Sequence, residues 1–382
     1  MRIALITETF PPEVNGVAMT LGRLTKGMVA RGHSLQVVRP RQAGEASAPA
    51  GPDVVVAGAP IPGYGNLRFG WPAGRRLRRL WRESPPDLVH VATEGPLGWS
   101  AVRAAKRLGL PTSSSYHTNF DQYSGHYRMA WARSAGLAYL RWFHNQTLAT
   151  FAPTRAVCDG LEKNGIHSCR VLGRGVDGDL FHPRRRSESL RREWGAEPED
   201  PVVLYVGRLA AEKNLPLAAR AFQAMREREP KARFVLVGDG PLAERWWREY
   251  PDFIYAGPRR GEDLGAHYAS ADLFLFPSVT ETYGNVVMEA MAAGLPAVAY
   301  RYAAAAEHGR DGGNGFFAKF GDEKDFIDRA VSSVPERTRW REMGRAARQT
   351  AGGLTWEKVC ETWERDLLNI LEVQSTESST HA

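Results

Sequence analysis

The sequence has few cysteines and no long hydrophobic run, and each absence excludes a class of protein. Three of its 382 residues are cysteines, Cys158, Cys169 and Cys360, and none lies in a C-x-x-C or Cys/His pattern. This number and spacing suit neither a disulfide framework nor a metal knot, so we expect reduced thiols. No apolar run approaches the ~20 residues of a membrane-spanning helix, and the opening MRIALITETFPP does not read as a signal peptide. We therefore expect a cytoplasmic protein.

The dinucleotide-binding fingerprint G-x-G-x-x-G is missing from the first strand–helix turn of either half of the chain. This absence argues against a hydride-transferring dehydrogenase. What the sequence does contain is an alternation of short apolar runs with longer helical patterns, which is typical of parallel sheets with crossover helices. Because the chain is also long enough for two cores, the pattern predicts an α/β protein with two doubly wound domains.

Segment 172–200 separates two such stretches, since it holds turn formers and charges but no strand pattern. We place the domain boundary near its start. In the first stretch, strands are predicted at 2–7, 34–38, 53–57, 87–91, 111–115 and 149–152, and helices at 17–31, 73–83, 97–108 and 128–148. In the second, strands are predicted at 202–206, 233–237, 252–255, 272–276 and 296–300, and helices at 215–228, 241–249, 262–269 and 284–293. An amphipathic helix at 355–372 and a disordered polar tail from Ser375 are predicted to follow.

The net charge of +7 is unevenly distributed along the chain. Residues 1–178 hold 22 lysines and arginines against 11 acidic residues, whereas the remainder holds 28 against 32. A basic first half predicts an anionic partner, and the sign alone does not choose among nucleic acid, a phospholipid surface and a phosphorylated substrate.

Ligands of open α/β domains bind beyond the carboxyl ends of the strands, so functional residues are expected in the turns that follow them. In the second domain, Arg208 and Lys213 follow strand 202–206 within VGRLAAEKN. A guanidinium and an ammonium five residues apart suit a diphosphate. Two solvated surface cations are the alternative.

A second unusual turn, ETYGNVVME at 281–289, follows strand 272–276. Gly284 and Asn285 are predicted to open a helix, so that both flanking carboxylates can approach one ligand at its N-terminus. Free N–H groups there suit phosphate, and carboxylates suit sugar hydroxyls. The alternative is the ordinary use of acidic residues as caps and dipole partners of a helix.

Two turns of the first domain stand out in the same way. Gly16, in PPEVNGV, lets backbone N–H groups at a helix start approach an anion, although an ordinary turn capped by Asn15 is the alternative. His117, in YHTN, follows strand 111–115 and could hydrogen-bond to a substrate or exchange a proton with it. A purely structural histidine is the alternative there.

Taken together, these segments resemble the retaining nucleotide-sugar glycosyltransferases of family four, and the resemblance covers almost the whole chain. It is carried by E-x7-E at 281–289, GRLAAEKN at 207–214, VGDGP at 237–241, Gly16 and the His117 segment. It implies the GT-B fold, in which two Rossmann-like domains face a cleft. The implied parts are an acceptor-binding domain at 1–173, a nucleotide-sugar-binding domain at 174–354, and, at 355–382, a helix that crosses back to the first domain with the tail.

The resemblance also implies roles for residues of the second domain. Arg208 and Lys213 would bind the diphosphate and stabilise the departing nucleotide. Glu289 would hold the ribose hydroxyls, and Glu281 would contact the sugar ring. Sugar and phosphate would also be contacted by backbone amides around three consecutive residues, Tyr283, Gly284 and Asn285.

In the first domain, the resemblance implies that Gly16 brings backbone amides to the phosphate and that His117 contacts the transferred sugar. Catalysis would then rest on electrostatic stabilisation of the leaving group, without a nucleophilic side chain. The implied catalytic residues are His117, Glu281, Arg208 and Lys213.

No metal or other cofactor is expected. Asp177-Gly178-Asp179 is formally an Asp-x-Asp motif, which binds a divalent metal in a different glycosyltransferase fold. Here it lies at the domain boundary, and Arg208 and Lys213 already supply positive charge. We interpret the motif as turn chemistry and expect metal-independent activity.

The acceptor has to be inferred from the basic first domain. Residues 68–82 combine arginines with Leu77, Leu80 and Trp81, and residues 128–143 mix arginines with aromatic residues. Both suit an anionic membrane surface. A solvated basic face is the alternative for the first segment and a core-facing aromatic stripe for the second. Nucleic acid is disfavoured because no motif that binds it is present.

Within the family, PPEVNGV and YHTNFDQY are most similar to bacterial enzymes that glycosylate membrane lipids such as diacylglycerol, including mannosyltransferases that use GDP-mannose. The resemblance implies a peripheral enzyme on the inner face of the cytoplasmic membrane. It would move a hexose from a nucleotide sugar, GDP-mannose before a UDP-sugar, to a lipid. The alternatives are a soluble glycan or small-molecule acceptor, a sugar-nucleotide epimerase, and a nucleotide-sugar binder without activity.

Overall fold

The contacts of the chain divide it into two compact units. The computed structural model describes residues 1–13, 15–42, 45, 53–61, 64–117 and 130–380. Unit 1 consists of Met1–Arg174 together with Trp356–Ala382, and unit 2 is Gly175–Thr355. No helix within the described ranges is long and apolar enough to cross a bilayer.

Unit 1 is built on a parallel sheet. Its strands are β1 (Arg2–Ile6), β2 (Ser34–Pro40), β3 (Val54–Val56), β4 (Gly58–Ile61), β5 (Tyr64–Gly70), β6 (Leu88–Val91), β7 (Thr112–Ser115), β8 (Ala149–Ala152) and β9 (Cys169–Val171). Seven of them pair in the order β3-β2-β1-β6-β7-β8-β9, whereas β4 and β5 form a separate antiparallel hairpin. In the central register, Ile3 of β1 pairs with Leu35 on one side and Leu88 on the other. The inner strands are buried on both faces, as helices covering both sides of a parallel sheet require.

The helices of unit 1 that precede unit 2 are α1 (Gly16–Ala30), α2 (Gly74–Glu83), α3 (Pro96–Arg107), α4 (Ala130–His144) and α5 (Arg155–Lys163). The α1 helix begins where it does because the side-chain oxygen of Asn15 accepts the amide of Ala18 at 2.8 Å. It ends before Gly32, which takes the left-handed conformation (φ 85°) that favours glycine.

Unit 2 repeats the architecture on six parallel strands. These are β10 (Val202–Val206), β11 (Arg233–Val237), β12 (Ile254–Gly257), β13 (Leu273–Phe276), β14 (Ala297–Tyr300) and β15 (Gly315–Ala318), paired in the order β12-β11-β10-β13-β14-β15. Its helices are α6 (Glu188–Glu193), α7 (Leu215–Arg228), α8 (Ala243–Glu249), α9 (Gly261–Ser270), α10 (Asn285–Ala292), α11 (Ala304–His308), α12 (Glu323–Ser333) and α13 (Trp340–Gly352). Single 3-10 turns lie at Pro183–Arg185, Ala211–Lys213 and Arg337–Arg339.

The last helix, α14 (Trp356–Thr380), follows unit 2 in the chain but packs in unit 1. Its residues Cys360, Trp363, Leu367 and Ile370 are buried in the same apolar cluster as residues of α1. The approach of α1 and α14 is so close that a Cβ at Gly27 would lie 2.2 Å from the sulfur of Cys360. Glycine is therefore required at this crossing.

Polar contacts hold α14 to the end of α1. The Glu364 carboxylate accepts from Arg31 Nε at 2.6 Å and meets His33 Nε2 at the same distance. The contacts with His33 and Arg31 lower the pKa of Glu364. Their attraction fixes the rotation of α14 about its own axis, because Glu364 follows the buried Trp363 directly.

The predicted strands are all present, with ends shifted by at most two residues. The prediction of a disordered tail from Ser375 was wrong, because α14 continues to Thr380. The stretch 373–380 contains no glycine or proline that would stop a helix. The helix predicted at 128–148 is described as Ala130–His144, and residues 128–129 lie outside the described residues. Elements that the pattern did not predict include the short strands β4, β9 and β15, the longer strand β5, and the helices α5, α6, α11, α12 and α13.

Candidate active site

The carboxyl ends of β10 and β13 bring together two segments that the sequence singles out. β10 is followed by Gly207 and Arg208, and β13 is followed by a loop that contains Glu281. Because β10 and β13 are neighbours in a parallel sheet, the loops that follow them meet at one edge. The 3-10 turn Ala211–Lys213 then ends at Asn214, which is left-handed (φ 53°) and starts α7.

Lys213 and Glu281 form an ion pair at this edge. The Lys213 Nζ lies 2.5 Å from Glu281 Oε1, which also accepts from Ser278 Oγ at 2.7 Å. The two charged side chains are only 18% and 17% exposed, so water screens their attraction less than it screens a surface pair. The pair holds the ammonium in place while leaving it N–H donors for an anion.

Arg208 is placed differently from Lys213. Its side chain is 61% exposed and forms a 3.5 Å ion pair with Glu212. Such an exposed pair contributes little free energy. The structure therefore brings Lys213 and Glu281 together and leaves the guanidinium of Arg208 on a solvent-exposed side chain that can turn towards a ligand at small cost.

Two glycines of VGDGP, in the loop after β11, allow that loop to pack against the loop after β10. Gly238 (φ 142°) approaches Gly207 so closely that a Cβ on it would lie 1.9 Å from the Gly207 carbonyl oxygen. A Cβ on Gly240 would lie 2.4 Å from the carbonyl oxygen of Leu209. The Leu209 amide in turn donates to the carbonyl of Asp239 at 2.9 Å. Glycine is required at both positions because the two loops touch through their backbones.

The N-terminus of α10 presents unused polar groups at the same edge. Gly284 caps the helix in the left-handed conformation (φ 90°) and has no side chain to satisfy the first amides. The Asn285 Oδ1 is shielded from water and accepts no hydrogen bond within the described part of the chain. The preceding Tyr283 donates or accepts at His308 Nε2 (3.2 Å), and its carbonyl accepts the amide of Ala304. This helix start can therefore take an anion or a polar ligand.

Glu289 lies in the second turn of α10 and is partly buried. Burial raises its pKa to about 7, and a hydrogen bond donated by the Tyr268 hydroxyl at 2.9 Å lowers it in part. The group is therefore close to half ionised at neutral pH. Sequence reasoning found Glu289 but missed Tyr268, which lies on α9 and carries no motif of its own.

The raised pKa of Glu289 predicts a pH-dependent affinity for nucleotide. If the ionised carboxylate accepts two ribose hydroxyls, binding requires loss of its proton, so affinity for GDP should rise about tenfold between roughly pH 6 and pH 8. Calorimetric titration of GDP across this range measures the effect. Glu289→Gln should bind more weakly and with a shallower profile in this window; a wild-type affinity that stays constant or falls with rising pH would contradict the predicted role.

In unit 1, His117 follows β7 and is buried. Its Nδ1 accepts a hydrogen bond from the Arg174 guanidinium at 2.9 Å. Burial and the positive charge of Arg174 hold its pKa well below the ordinary value. The ring is thus neutral with its proton on Nε2, a state that suits hydrogen-bond donation to a sugar hydroxyl. Thr118 and Asn119 of the same motif lie outside the described residues.

Gly16 is the first residue of α1 and has open space on its Cα side, with no atom within 4 Å of an added Cβ. The cap of this helix is well ordered by contacts, since Asn15 Nδ2 donates to Thr9 Oγ1 at 2.7 Å while its oxygen caps Ala18. The structure therefore shows that Asn15 caps the helix and that Gly16 is exposed, whereas anion binding at Gly16 stays a prediction. Val14 of the motif lies outside the described residues.

Sequence reasoning missed Glu8, which follows β1 at the same sheet edge as His117. Its Oε1 accepts the amide of Leu97 at 3.0 Å, and burial raises its pKa to about 7 against the lowering effect of such amide contacts. A Cβ at Gly95 would lie 2.0 Å from this carboxylate. The signal available in the sequence was the polar residue directly after a buried strand.

Comparison with known proteins decides the family. The model described as Glycosyltransferase Family 4 matches residues 14–180, and the model described as Glycosyl transferases group 1 matches residues 200–334. The GDP-mannose-dependent alpha-mannosyltransferase of Corynebacterium glutamicum is 32% identical over 364 residues, which cover 94% of this chain and 87% of that protein. The chain belongs to glycosyltransferase family 4. It is a glycosyltransferase.

Two further similarities bear on this glycosyltransferase. The GDP-mannose-dependent alpha-(1-6)-phosphatidylinositol dimannoside mannosyltransferase of Mycobacterium tuberculosis is 28% identical over 94% of both chains. The sucrose-phosphate synthase of Thermosynechococcus elongatus has a similar fold, with a TM-score of 0.75 at 16% identity over 97% of this chain and 99% of that one. The two Rossmann-like units confirm the GT-B architecture that the sequence predicts.

The two aspartates of the Asp-x-Asp motif make local structural contacts. Asp177 Oδ1 accepts the amide of Leu180 at 3.0 Å, and Asp179 pairs with Arg184 at 3.2 Å on the surface. Among the residues that the structure describes, no cluster of three or more histidine, cysteine or carboxylate side chains could hold a metal ion.

Proposed function

We propose that this glycosyltransferase moves a mannosyl residue from GDP-mannose to a lipid acceptor, retaining the configuration of the sugar and using no metal ion. The observation that carries the proposal is the similarity over almost the whole chain to two mannosyltransferases named for GDP-mannose. The name of one of them also specifies a phosphatidylinositol-based acceptor. The residues of both units are consistent with this chemistry.

The donor is assigned to the edge of unit 2 formed by the loops after β10 and β13. Lys213, with Arg208 turning inward, would neutralise the diphosphate and stabilise the charge that grows on it as the glycosidic bond breaks. The N-terminus of α10 at Gly284 and Asn285 would donate amides to the same group. Glu281, already beside Lys213, would orient the sugar, and Glu289 the ribose. These cations would do the work that a divalent metal does in other transferases.

The acceptor side is assigned to unit 1. The neutral His117 would donate to a hydroxyl of the transferred sugar, and the open backbone at Gly16 would approach the phosphate. Neither group needs to act as a nucleophile in this scheme. Side chains of unit 1 therefore bind and orient. As the bond from the sugar to the diphosphate breaks and the acceptor oxygen bonds to the sugar, an oxygen of the departing diphosphate would accept the proton of the acceptor hydroxyl.

A basic cavity on unit 1 supports the choice of a lipid surface. A space of about 630 Å³ lies between α2 and α3, flanked by Trp71 and Trp99. Trp71 is 52% exposed, and the Arg103 guanidinium lies 4.8 Å from the Trp99 ring centroid. Five arginines line this cavity: Arg75, Arg76, Arg78, Arg103 and Arg107. Exposed tryptophan beside arginine suits the interfacial region of an anionic membrane.

The structure corrects the apolar part of the membrane surface predicted at 68–82. Leu77 and Trp81 are buried in the core of unit 1, and Leu80 packs against it, because the apolar face of α2 covers the sheet. The arginines of α2 remain outward, so Trp71 takes the place of Trp81 as the aromatic side chain available to lipid. In 128–143, Phe143 is buried, Tyr139 and Trp142 are partly exposed, and nothing is described of the side chains at 130–133.

A transfer assay tests the proposed function. The protein is incubated with GDP-mannose or UDP-glucose, radiolabelled in the sugar, together with diacylglycerol or phosphatidylinositol in mixed micelles, and the label is extracted into organic solvent. We expect label from GDP-mannose alone, released by an α-specific mannosidase and undiminished by EDTA. Label that appears only in water-soluble products, or a requirement for added Mg²⁺ or Mn²⁺, would contradict the proposal. Conversion of the donor without acceptor would indicate an epimerase.

Membrane association through unit 1 gives a separate prediction. Arg75→Ala with Arg103→Ala removes two exposed cations of the basic cavity, each worth about 1 kcal/mol near an anionic surface, so binding to phosphatidylglycerol vesicles should fall roughly 30-fold. Sedimentation with vesicles measures it, and high salt should abolish the wild-type binding. Arg192→Ala with Arg228→Ala, two exposed arginines of unit 2, is the control for net charge. Equal loss in both double variants would contradict a surface on unit 1.

A further inference from the structure

A cavity of about 440 Å³ lies at the edge of unit 2 opposite the donor residues. Pro201, Asp272 and Leu295 line it, and each stands just before the start of a strand, β10, β13 or β14. The donor residues follow the carboxyl ends of β10 and β13. Because the strands are parallel, the cavity and the donor site lie at opposite ends of the sheet. The cavity is therefore part of neither the proposed donor site nor the proposed acceptor side.

Arginines dominate the charge of this cavity. Those lining it are Arg186, Arg337, Arg341, Arg345 and Arg348. This concentration stands out because residues 179–382 carry more acidic than basic side chains. A general basic character of this part of the chain therefore does not explain it.

Three of these arginines share one face of α13. Arg341, Arg345 and Arg348 are spaced by four and three residues, which stacks them along one side of a helix. Arg341 and Arg345 are exposed, and for neither is an ion pair or side-chain hydrogen bond found within the described ranges. Two adjacent guanidiniums without counter-charge repel each other, and a bound anion would relieve that repulsion.

Arg348 is fixed at the wall of the cavity. Its guanidinium donates to the carbonyl oxygens of Phe181, Ala292 and Gly178, at 3.0, 2.8 and 3.0 Å. This anchors α13 to the end of α10, where Gly294 and Gly344 touch; a Cβ at Gly344 would lie 2.0 Å from the Gly294 carbonyl oxygen. The backbone that carries Arg341 and Arg345 is thus held in place, so both side chains project from a fixed helix.

Two of the three carboxylates that line the cavity are already engaged, and the third, Glu199, is exposed to solvent. Both oxygens of Asp272 are held by arginines, Oδ1 by Arg186 at 3.1 Å and Oδ2 by Arg191 at 2.9 Å. Asp200 accepts the amide of Glu197 at 3.0 Å. Asp272 and Glu188 pair with Arg186 and Arg191, while Arg337 is paired with Glu229. Arg341 and Arg345 together carry more positive charge than Glu199 can balance.

The remaining walls are apolar and suit the uncharged part of a small ligand. Pro183, Pro198, Leu295 and the buried Trp340 contribute them. The volume falls within the range of sites for small organic ligands. We propose that this cavity binds a phosphate dianion carried by a small molecule, with Arg341 and Arg345 as its ligands, at a site separate from that of the nucleotide sugar. The proposal does not rest on the identity of the donor or the acceptor.

Calorimetric titration with mannose 6-phosphate, inorganic phosphate and mannose tests the proposal, with excess GDP present so that phosphate does not enter the donor site. The wild type should bind a phosphate compound and not mannose. Arg341→Ala with Arg345→Ala should weaken that binding by about tenfold or more, since charge-assisted hydrogen bonds are lost. Both residues are exposed, so the variant should keep its fold. Arg192→Ala with Arg228→Ala, matched for net charge, should bind as the wild type does.

The two phosphate probes distinguish the sources of the anion. Tighter binding of the sugar phosphate would show that the apolar walls contact the carrier, and equal binding would identify free phosphate as the ligand. The proposal would be overturned if neither mannose 6-phosphate nor inorganic phosphate bound at concentrations up to about 10 mM. Equal affinity in wild type and Arg341→Ala/Arg345→Ala, or binding of that face only to phosphatidylglycerol vesicles, would also overturn it. None of these outcomes depends on whether the protein transfers mannose to lipid.

Discussion

Replacement of Lys213 by alanine is expected to lower kcat/KM by about 10²–10³-fold, which corresponds to roughly 3–4 kcal/mol of lost transition-state stabilisation. The ammonium is pre-positioned by Glu281 at 2.5 Å and shielded from water, so it pays little reorganisation when charge grows on the leaving diphosphate. Arg208 is not expected to replace Lys213, because its guanidinium is 61% exposed and is not held in place as the Lys213 ammonium is.

Steady-state kinetics with GDP-mannose measure the effect of Lys213→Ala. Lys213→Arg keeps the charge but not the compact ammonium, so its kcat/KM should lie between those of Lys213→Ala and the wild type. Lys324→Ala is the matched control, since Lys324 is an exposed lysine of unit 2 paired with Asp328, and its activity should stay within about twofold. A Lys213→Ala enzyme with nearly wild-type kcat/KM would show that Lys213 does not stabilise the leaving group.

Gly238→Ala should destabilise unit 2 by about 3 kcal/mol or more, one of the larger effects of a single substitution. The new Cβ would lie 1.9 Å from the Gly207 carbonyl oxygen, and the backbone at φ 142° is one that side-chain-bearing residues rarely adopt. Relief requires the loops after β10 and β11 to separate, which would also displace the segment that carries Arg208.

Thermal unfolding measures this loss, and a fall of roughly 6–12 °C is expected for a unit of this size. Gly352→Ala is the control: an added Cβ there meets no atom within 4 Å, so stability should change by less than about 1 kcal/mol. Equal melting temperatures for Gly238→Ala and Gly352→Ala would contradict this prediction. They would show that the two loops can move apart at no cost in stability.

Much of the fold follows from the sequence because strand and helix periodicity is local. All the strands of both sheets except β9 and β15, and the placement of Arg208, Lys213 and Glu281 after strand ends, needed only patterns within about ten residues. The hairpin β4–β5 and the helices between 301 and 354 carry weaker patterns, since their apolar residues are few or their length is short.

The contacts within the candidate site could not be predicted in the same way. Lys213 meets Glu281 across 68 positions of sequence, and Tyr268 meets Glu289 from another helix. Those pairings depend on which strands are neighbours in the sheet, and periodicity does not supply strand order. His308 was missed for the same reason, because it reaches Tyr283 only through the packing of α11 beside α10.

The position of α14 constrains the order in which the protein can fold as it is synthesised. Unit 2 is contiguous, so all of its residues leave the ribosome before α14 does. Unit 1 lacks Trp363, Leu367 and Ile370 until then, and the apolar side of α1 that they cover stays exposed meanwhile. The later-encoded unit can therefore finish folding first, the reverse of the usual N-terminal-first order. Nascent unit 1 is accordingly the part of the chain that most needs protection from aggregation.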